Sequence, residues 1–230
     1  MNIVILGAKN PETGRMIEAI RAAGSADDFI GFLDNNHANM PPRFLGLPVF
    51  GGFERLDGLI ADGCVFANTI TGSTASRYET SAEIYRRGGR LVSFVHPSVN
   101  AGVAIGEGAY IQEGVILQAG VSLGVNCAIN AGGIVSHETT LGHSVFCAPG
   151  VRIAGEVKIG DGVFVGVGAA IVPRLTIGKW ATIGAGAVVI HDVPDFAVVA
   201  GNPARVLRYA EAAHGDGDVR AAARGGSALR

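Results

Sequence analysis

Clusters of lysine and arginine are missing from this sequence, as are paired cysteines and any apolar run long enough to cross a membrane. The formal charge of −2 and pI near 6.3 leave no electrostatic footprint for nucleic acid or for an anionic membrane surface, and neither partner is expected. Mean hydropathy is positive, at +0.35. Yet the most apolar stretch, Gly162 to Val172, is short and interrupted by glycine. Cys64, Cys127 and Cys147 cannot all pair, show no CxxC spacing and follow no secretory signal, so they read as small buried apolar residues in a reducing cytoplasm. With 230 residues, 48% of them hydrophobic, the chain can build its core without disulfides.

Glycine is in excess. Its 35 copies follow no three-residue collagen period and call for a fold with many tight turns. A longer period is present. Steps of six from Val99 meet Ile105, Ile111, Leu117, Leu123 and so on to Val189, and only Cys147 departs from Val, Ile or Leu over sixteen repeats. Four residues after each lies a second set, Val103, Ala109, Val115, Val121, Cys127 and onward to Val193, mostly small or β-branched. A helix would scatter a six-residue period around its surface, and a flat strand needs a period of two. Short strands joined by corners satisfy it, with Gly or Asn at the turns (Gly106, Gly124, Asn130, Gly142, Gly160, Gly178, Gly184). Three such sides close a triangular coil of eighteen residues, and the repeats make roughly five coils stacked ~4.8 Å apart.

Ahead of the repeats the pattern is different. MNIVILGA (1–8), a helical stretch around Glu12 to Ala23, and FIGFLD (29–34) read as β-α-β. Gly63 to Thr69 and Arg90 to Val95 read as strands flanking a helix from about Ala75 to Arg87. The expected organisation is therefore a Rossmann-like α/β domain over 1–95, a parallel β-helix domain with its cap over 96–209, and a disordered tail over 210–230. The cap is expected as a short helix beginning near Pro203.

The hexads, the preceding FVHPSV (94–99) and the closing AGNPARVL (200–207) together resemble the hexapeptide-repeat sugar acetyltransferases. That family takes in sialic acid O-acetyltransferases and the UDP-bacillosamine and GDP-perosamine N-acetyltransferases. The resemblance implies a left-handed coil, a homotrimer, and acetyl-CoA bound as co-substrate in the groove between neighbouring subunits. No metal is expected, since a three-histidine zinc site would need His96 or His191 beside His137 and His143, and those two lie at opposite ends of the stack.

Within VSHETTLGHSVFCAPG (135–150), His137 and Glu138 match the family's general base and its acidic neighbour. A sugar amine or hydroxyl must shed a proton as it attacks a thioester, and an imidazole, with an ordinary pKa of about 6.5, can accept it. Glu138 would orient the ring or stabilise the imidazolium, and a backbone N–H would hold the oxyanion. With no Ser-His-Asp or Cys-His pattern visible, direct transfer is expected rather than an acyl-enzyme. His143 falls on the next side of the coil and is expected at the cofactor rim, with Gly155 and Ala185 where relatives let backbone approach the pantetheine arm. Relatives commonly read HVHIAPG where this chain reads SVFCAPG, so Phe146 replaces a histidine associated with the acetyl-CoA site.

The same resemblance places a nucleotide at the loop after strand one and at an acidic residue after strand two. Here the loop is GAKNPETG (7–14), giving Gly7, Ala8 and Lys9 as candidate substrate contacts, with the N-terminus of the following helix open to a phosphate and Asp34 as the acidic position. ITGSTASR (70–77) adds a small-residue loop and Arg77. The leading expectation is N-acetylation of a nucleotide-linked amino-deoxy sugar in surface glycan biosynthesis. The alternatives are O-acetylation of a sugar of the sialic acid type, a γ-carbonic-anhydrase-like metalloenzyme, and a non-catalytic scaffold.

Overall fold

The hexads wind as their spacing demands. In the computed structural model, which describes residues 1–100, 102–210 and 218–221, each six-residue step contributes a two-residue strand. Each interior strand pairs in parallel with those eighteen residues before and after it: Ser122 with Ala104 and Thr140, Ala128 with Tyr110 and Phe146, Ile134 with Ile116 and Arg152. Three ladders enclose a prism. Face 1 runs from Ala104–Ile105 to Thr176–Ile177, face 2 from Phe94–Val95 through Tyr110–Ile111 to Thr182–Ile183, and face 3 from Ile116–Leu117 to Val188–Val189. Both residue sets point inward, and Ile111, Leu117, Val121, Cys127, Ile129, Val145 and their equivalents form one continuous core. Each fully buried Val, Ile or Leu side chain contributes about 1.5–3 kcal/mol, so the column is stabilised along its whole length.

The glycines do a different job from the one their periodicity suggested. The left-handed corner residue lies two positions after Gly106 or Gly124, and Asn126 (φ +63°), Glu138 (φ +57°) and Trp180 (φ +54°) adopt that conformation without being glycine. Gly106 and Gly124 are set by close approach instead. A Cβ on Gly106 would lie 2.5 Å from the Gly124 carbonyl carbon, and one on Gly124 would lie 2.6 Å from that of Gly142.

The N-terminal domain carries β1 (Asn2–Leu6), α1 (Glu12–Ala22), β2 (Asp28–Leu33), β3 (Arg43–Phe44), β4 (Leu47–Gly51), α2 (Leu56–Ala61), β5 (Val65–Asn68) and α3 (Thr74–Arg86). Its sheet order is β3-β4-β2-β1-β5, parallel except for the β3–β4 hairpin. One layer of this sheet packs straight onto face 2: Ile3, Ile5, Met16 and Phe29 share a core with Phe94, Tyr110, Ala128 and Phe146. Phe146 stacks on Phe164 with ring centroids 5.5 Å apart, so in this chain it is an interdomain packing residue.

Two expected elements are replaced. Arg90 to Val95 is not one strand of the α/β sheet: Leu91 makes a single bridge to Phe66, and Phe94–Val95 starts face 2 against Tyr110–Ile111. The cap after Pro203 is a strand rather than a helix. Arg205–Tyr209 runs antiparallel to Ala197–Ala200, whose outer edge would otherwise leave its N–H and C=O groups unpaired. Of the expected tail, 211–217 and 222–230 lie outside the described residues. Val219 is fully buried beside Tyr78, Val125 and Trp180, and Asp218 pairs with Arg220 at 2.9 Å.

Arg77 is the clearest correction among the expected site residues. It is 0% exposed, and its guanidinium donates to the carbonyl oxygens of Asn68 (2.6 Å), Gly108 (3.0 Å), Asn126 (3.1 Å) and Cys127 (3.4 Å). It therefore rivets α3 and the end of β5 to the edge between faces 1 and 2, away from any ligand. Burial lowers its pKa to about 10, which leaves it charged at neutral pH. Around it Asn68 donates to Ser81, Ser81 to Asn126, and Asn126 to Ser144.

Removing Arg77 would strand buried carbonyls, each costing about 1–3 kcal/mol. Arg77→Met is expected to lose about 3 kcal/mol or more, lowering the thermal midpoint by roughly 6–12 °C; an unchanged melting curve would refute the rivet. Burial also pushes the Cys127 thiol up to about 12 and the Cys147 thiol higher still. Native protein at pH 8 should thus give no fast reaction of either cysteine with a thiol-specific disulfide reagent, and full reaction in denaturant.

Candidate active site

Residues 119–120, 137–138, 155–156 and 173–174 stack as successive corners of the edge between faces 3 and 1, opposite the face that the N-terminal domain covers. His137 and Glu138 stand on this edge with more than half of each side chain in solvent. Glu138 Oε2 lies 3.4 Å from His137 Nδ1, close enough to orient the ring so that Nε2 is left to exchange a proton. Glu138 sits in the left-handed region at φ +57°, which costs an L-residue on the order of 1 kcal/mol. The neighbouring coils hold it there: Glu138 N–H donates to Ala119 O and Glu156 N–H to His137 O, both at 2.9 Å.

Gly155 lies directly under the imidazole. A Cβ there would come within 2.5 Å of His137 Nε2 and 2.6 Å of Cε1, so the ring occupies the space that a side chain would need. The groove continues onto face 1 as a pocket of about 440 Å³ lined by Glu138, Glu156, Lys158, Arg174, Leu175 and Thr176, with Arg174 3.7 Å from Glu156.

The other two expected cofactor residues are not brought to this edge. Six residues advance the chain by one side of a three-sided coil, so His143 falls on the edge between faces 1 and 2, and Ala185 on the edge between faces 2 and 3. His143 is half-buried, its Nδ1 accepts the Val125 N–H at 3.0 Å, and its own N–H donates to Asp161. That makes it a corner fastener rather than a rim group in its own chain. His137 and His143 therefore cannot share an ion within one chain. Among the described residues no three His, Cys, Asp or Glu are grouped to hold a metal.

The N-terminal domain has its own cavity, about 640 Å³, where the C-terminal ends of β1, β2 and β5 meet. In open α/β sheets this is the position at which ligands bind. Gly7, Lys9 and Asp34 line it as expected; Asn35, Phe53, Thr69, Thr71 and Gly72 line it too. Ala8 does not. Its side chain is buried in the core and its N–H is taken by Asp34 Oδ2 at 3.1 Å, while Asp34 Oδ1 accepts the Asn36 N–H at 2.9 Å. Each carboxylate oxygen keeps a second lone pair for a hydroxyl donor.

The α1 N-terminus differs from expectation as well. Pro11 has no N–H, the Glu12 N–H is capped by Asn10 Oδ1 at 3.0 Å, and those of Thr13 and Gly14 close onto Asn10 O and Pro11 O. An anion in this cavity would meet Lys9, Asn10, Asn35 and the 71–72 loop rather than a free helix N-terminus. Asn35 and Phe53 were missed because 35–62 carries no repeat or motif. The 70–72 wall was signalled by the small residues of ITGST.

A prism of six-residue coils with an α/β domain on one face and a His-Glu pair on the opposite edge defines the class as a hexapeptide transferase. The family model for bacterial transferase hexapeptide (six repeats) matches residues 156–191. Among solved structures, PerB from Caulobacter crescentus, in complex with CoA and GDP-perosamine, is 32% identical over 90% of this chain and 98% of its own, with a TM-score of 0.79. The acetyltransferase domain of PglB from Neisseria gonorrhoeae, in complex with acetyl coenzyme A, is 28% identical over 90% and 98%, with a TM-score of 0.79. WeeI from Acinetobacter baumannii is 25% identical over 90% and 100%, with a TM-score of 0.78. No curated protein sequence matches the chain. The chain belongs to the hexapeptide-repeat sugar acetyltransferase family: its coil is the left-handed β-helix of that family, and it is an acyltransferase.

Gly155→Ala should leave the fold intact, since nothing but an exposed ring must move. It is expected to displace the His137 imidazole and to slow acyl transfer by about tenfold to a hundredfold. A crystal structure of the variant with the ring unmoved, or turnover at the normal rate, would disprove this dependence.

Proposed function

We propose that the protein transfers the acetyl group of acetyl-CoA to an amino group on a nucleotide-linked amino-deoxy sugar, feeding surface glycan synthesis in the cytoplasm. The observation that carries this reading is the His137–Glu138 pair, set over a side-chain-free residue on an open groove. The likeness to PerB, which is complexed with CoA and GDP-perosamine, supports the class of both substrates. The unpaired state of all three cysteines fits a reducing compartment, and no helix among the described residues is long and apolar enough to cross a membrane.

In this reading the domains divide the work. The 1–95 domain holds the nucleotide between Gly7, Lys9 and Asp34, and the 96–209 domain performs the transfer. The sugar amine attacks the thioester carbonyl and forms the C–N bond. His137 Nε2 takes the proton that the nitrogen sheds, while Glu138 steadies the resulting imidazolium through Nδ1. As the C–S bond breaks, the proton passes from His137 to the departing sulfur. No covalent enzyme intermediate is needed.

Because the nucleotide cavity belongs to a domain seated on face 2, and His137 stands on the opposite edge, a complete site requires two copies of the chain. A homotrimer supplies them. Face 3 offers a largely apolar surface, with Ile116 half exposed in line with Ile134, Ala170 and Val188, and with Arg152 exposed at the middle of the row. In such an assembly Ala185, from another edge, can approach the groove that Gly155 borders in the neighbouring subunit.

Incubation with acetyl-CoA and a panel of UDP-, GDP-, dTDP- and CMP-linked sugars is expected to show turnover of an amino-sugar nucleotide. His137→Ala should reduce it by at least ~100-fold, the lower end of what a general base contributes. Turnover of hydroxyl sugars alone would replace N-acetylation by O-acetylation. Full activity in His137→Ala would remove His137 from the mechanism, and an active monomer on light scattering would remove the shared site.

A further inference from the structure

The imidazole of His137 can be aimed only as well as its backbone is held. His137 occupies the first corner position, where the strand ladder has ended, so its N–H has no strand partner. That N–H donates instead to the side-chain Oε1 of Gln118, 3.0 Å away on the coil above. The main chain of Gln118 is already committed, its N–H to Val135 O at 3.0 Å and its carbonyl to the Val121 N–H at 3.3 Å, so the carboxamide alone is free to do this.

Six residues earlier Gln112 makes the same reach, its Oε1 accepting the Ala131 N–H at 2.9 Å. There the side chain is buried and its NH2 group is tied to Tyr110 Oη. Gln118 is exposed and carries no core packing. Its neighbour Gly120 leaves room for the following residue, since a Cβ there would lie 3.1 Å from Glu138 Cγ.

We infer that Gln118 is a positioning residue for acyl transfer: by accepting the His137 N–H it fixes the corner from above, while Gly155 receives the ring from below. The inference rests on His137 being the base. The bond needs only an acceptor at the end of the side chain, so glutamate can replace glutamine at this position, whereas alanine cannot. The charged groups around the ring are then Glu138 at its Nδ1, and Glu156, Lys158 and Arg174 along the groove.

The test is steady-state kinetics on Gln118→Ala, Gln118→Glu and His137→Ala in the full-length chain, with acetyl-CoA and the amino-sugar nucleotide that the wild type uses. Gln118→Ala is expected to lower kcat by about tenfold to a hundredfold, with KM for acetyl-CoA unchanged and thermal stability within a few degrees of wild type. Gln118→Glu should recover most of kcat. It should also move the acid limb of its kcat/KM profile to higher pH, because a carboxylate beside the ring favours its protonated form. Wild-type kcat in Gln118→Ala, alongside an inactive His137→Ala, would overturn the positioning role and leave the base in place. A Gln118→Glu protein as slow as Gln118→Ala would overturn it too. Activity that survives His137→Ala would remove the base itself, and the inference with it.

Discussion

The rest of this molecule depends on the backbone hydrogen bonds that join each short strand of the coil to the strand eighteen positions on. Because coils must stack at strand spacing, a residue's place in the hexad decides whether it faces the core, the solvent or the next coil's backbone. Chemistry is left to the corners. There the ladder lapses, side chains are free to project, and backbone donors need partners. His137 has the exposure a proton acceptor requires because it sits at a corner, and its orientation is defined because coils above and below grip its N–H and C=O.

The second constraint is the attachment of the α/β domain. Apolar contact alone would let a sheet slide over face 2, whose outer surface is a row of aromatic and small side chains. The Arg77 guanidinium prevents this, since its donors are matched one by one to carbonyls from both domains. A buried cation met only by carbonyl dipoles adds little to net stability, because desolvation offsets most of what it gains, but misplacing its partners is expensive. Its contribution is therefore to register. Asn68, which accepts from Arg77, immediately precedes the cavity wall that begins at Thr69, so the geometry of that cavity is set from the same point.

How much of this could be read from the residues follows from how local each signal is. The coil, its inward-facing sets and the His137–Glu138 corner were legible because the period is strict and the interruption is a chemically distinct pair. Arg77 reads as a possible ligand contact because a charged residue in the first turn of a helix, just after a small-residue loop, carries no mark of burial; only the packed neighbours reveal it. The six-residue count already puts His143 on the next side of the coil, and it puts Ala185, which likeness to relatives groups with Gly155, on an edge of its own. Pro203 suggested a helix start by local preference, and the open edge of Ala197–Ala200 prevailed. The free α1 N-terminus failed for a similar reason: Asn10 and Pro11 together use or remove the donors that the sequence pattern seemed to offer.

The same geometry bears on why the halves are fused. In one chain the cavity belongs to the domain seated on face 2, whereas His137 stands on the edge between faces 3 and 1. Stacking the domain on face 2 leaves faces 1 and 3 uncovered by it, and in the proposed homotrimer those two faces carry the contacts between copies. Under the proposed shared site, substrate selection and catalysis are coupled through assembly: an unpartnered chain holds a sugar nucleotide without acting on it. The rigidity that this requires comes from Arg77 within each chain and from the coil ladder along it. Neither device touches substrate, and both set where the reacting groups can meet.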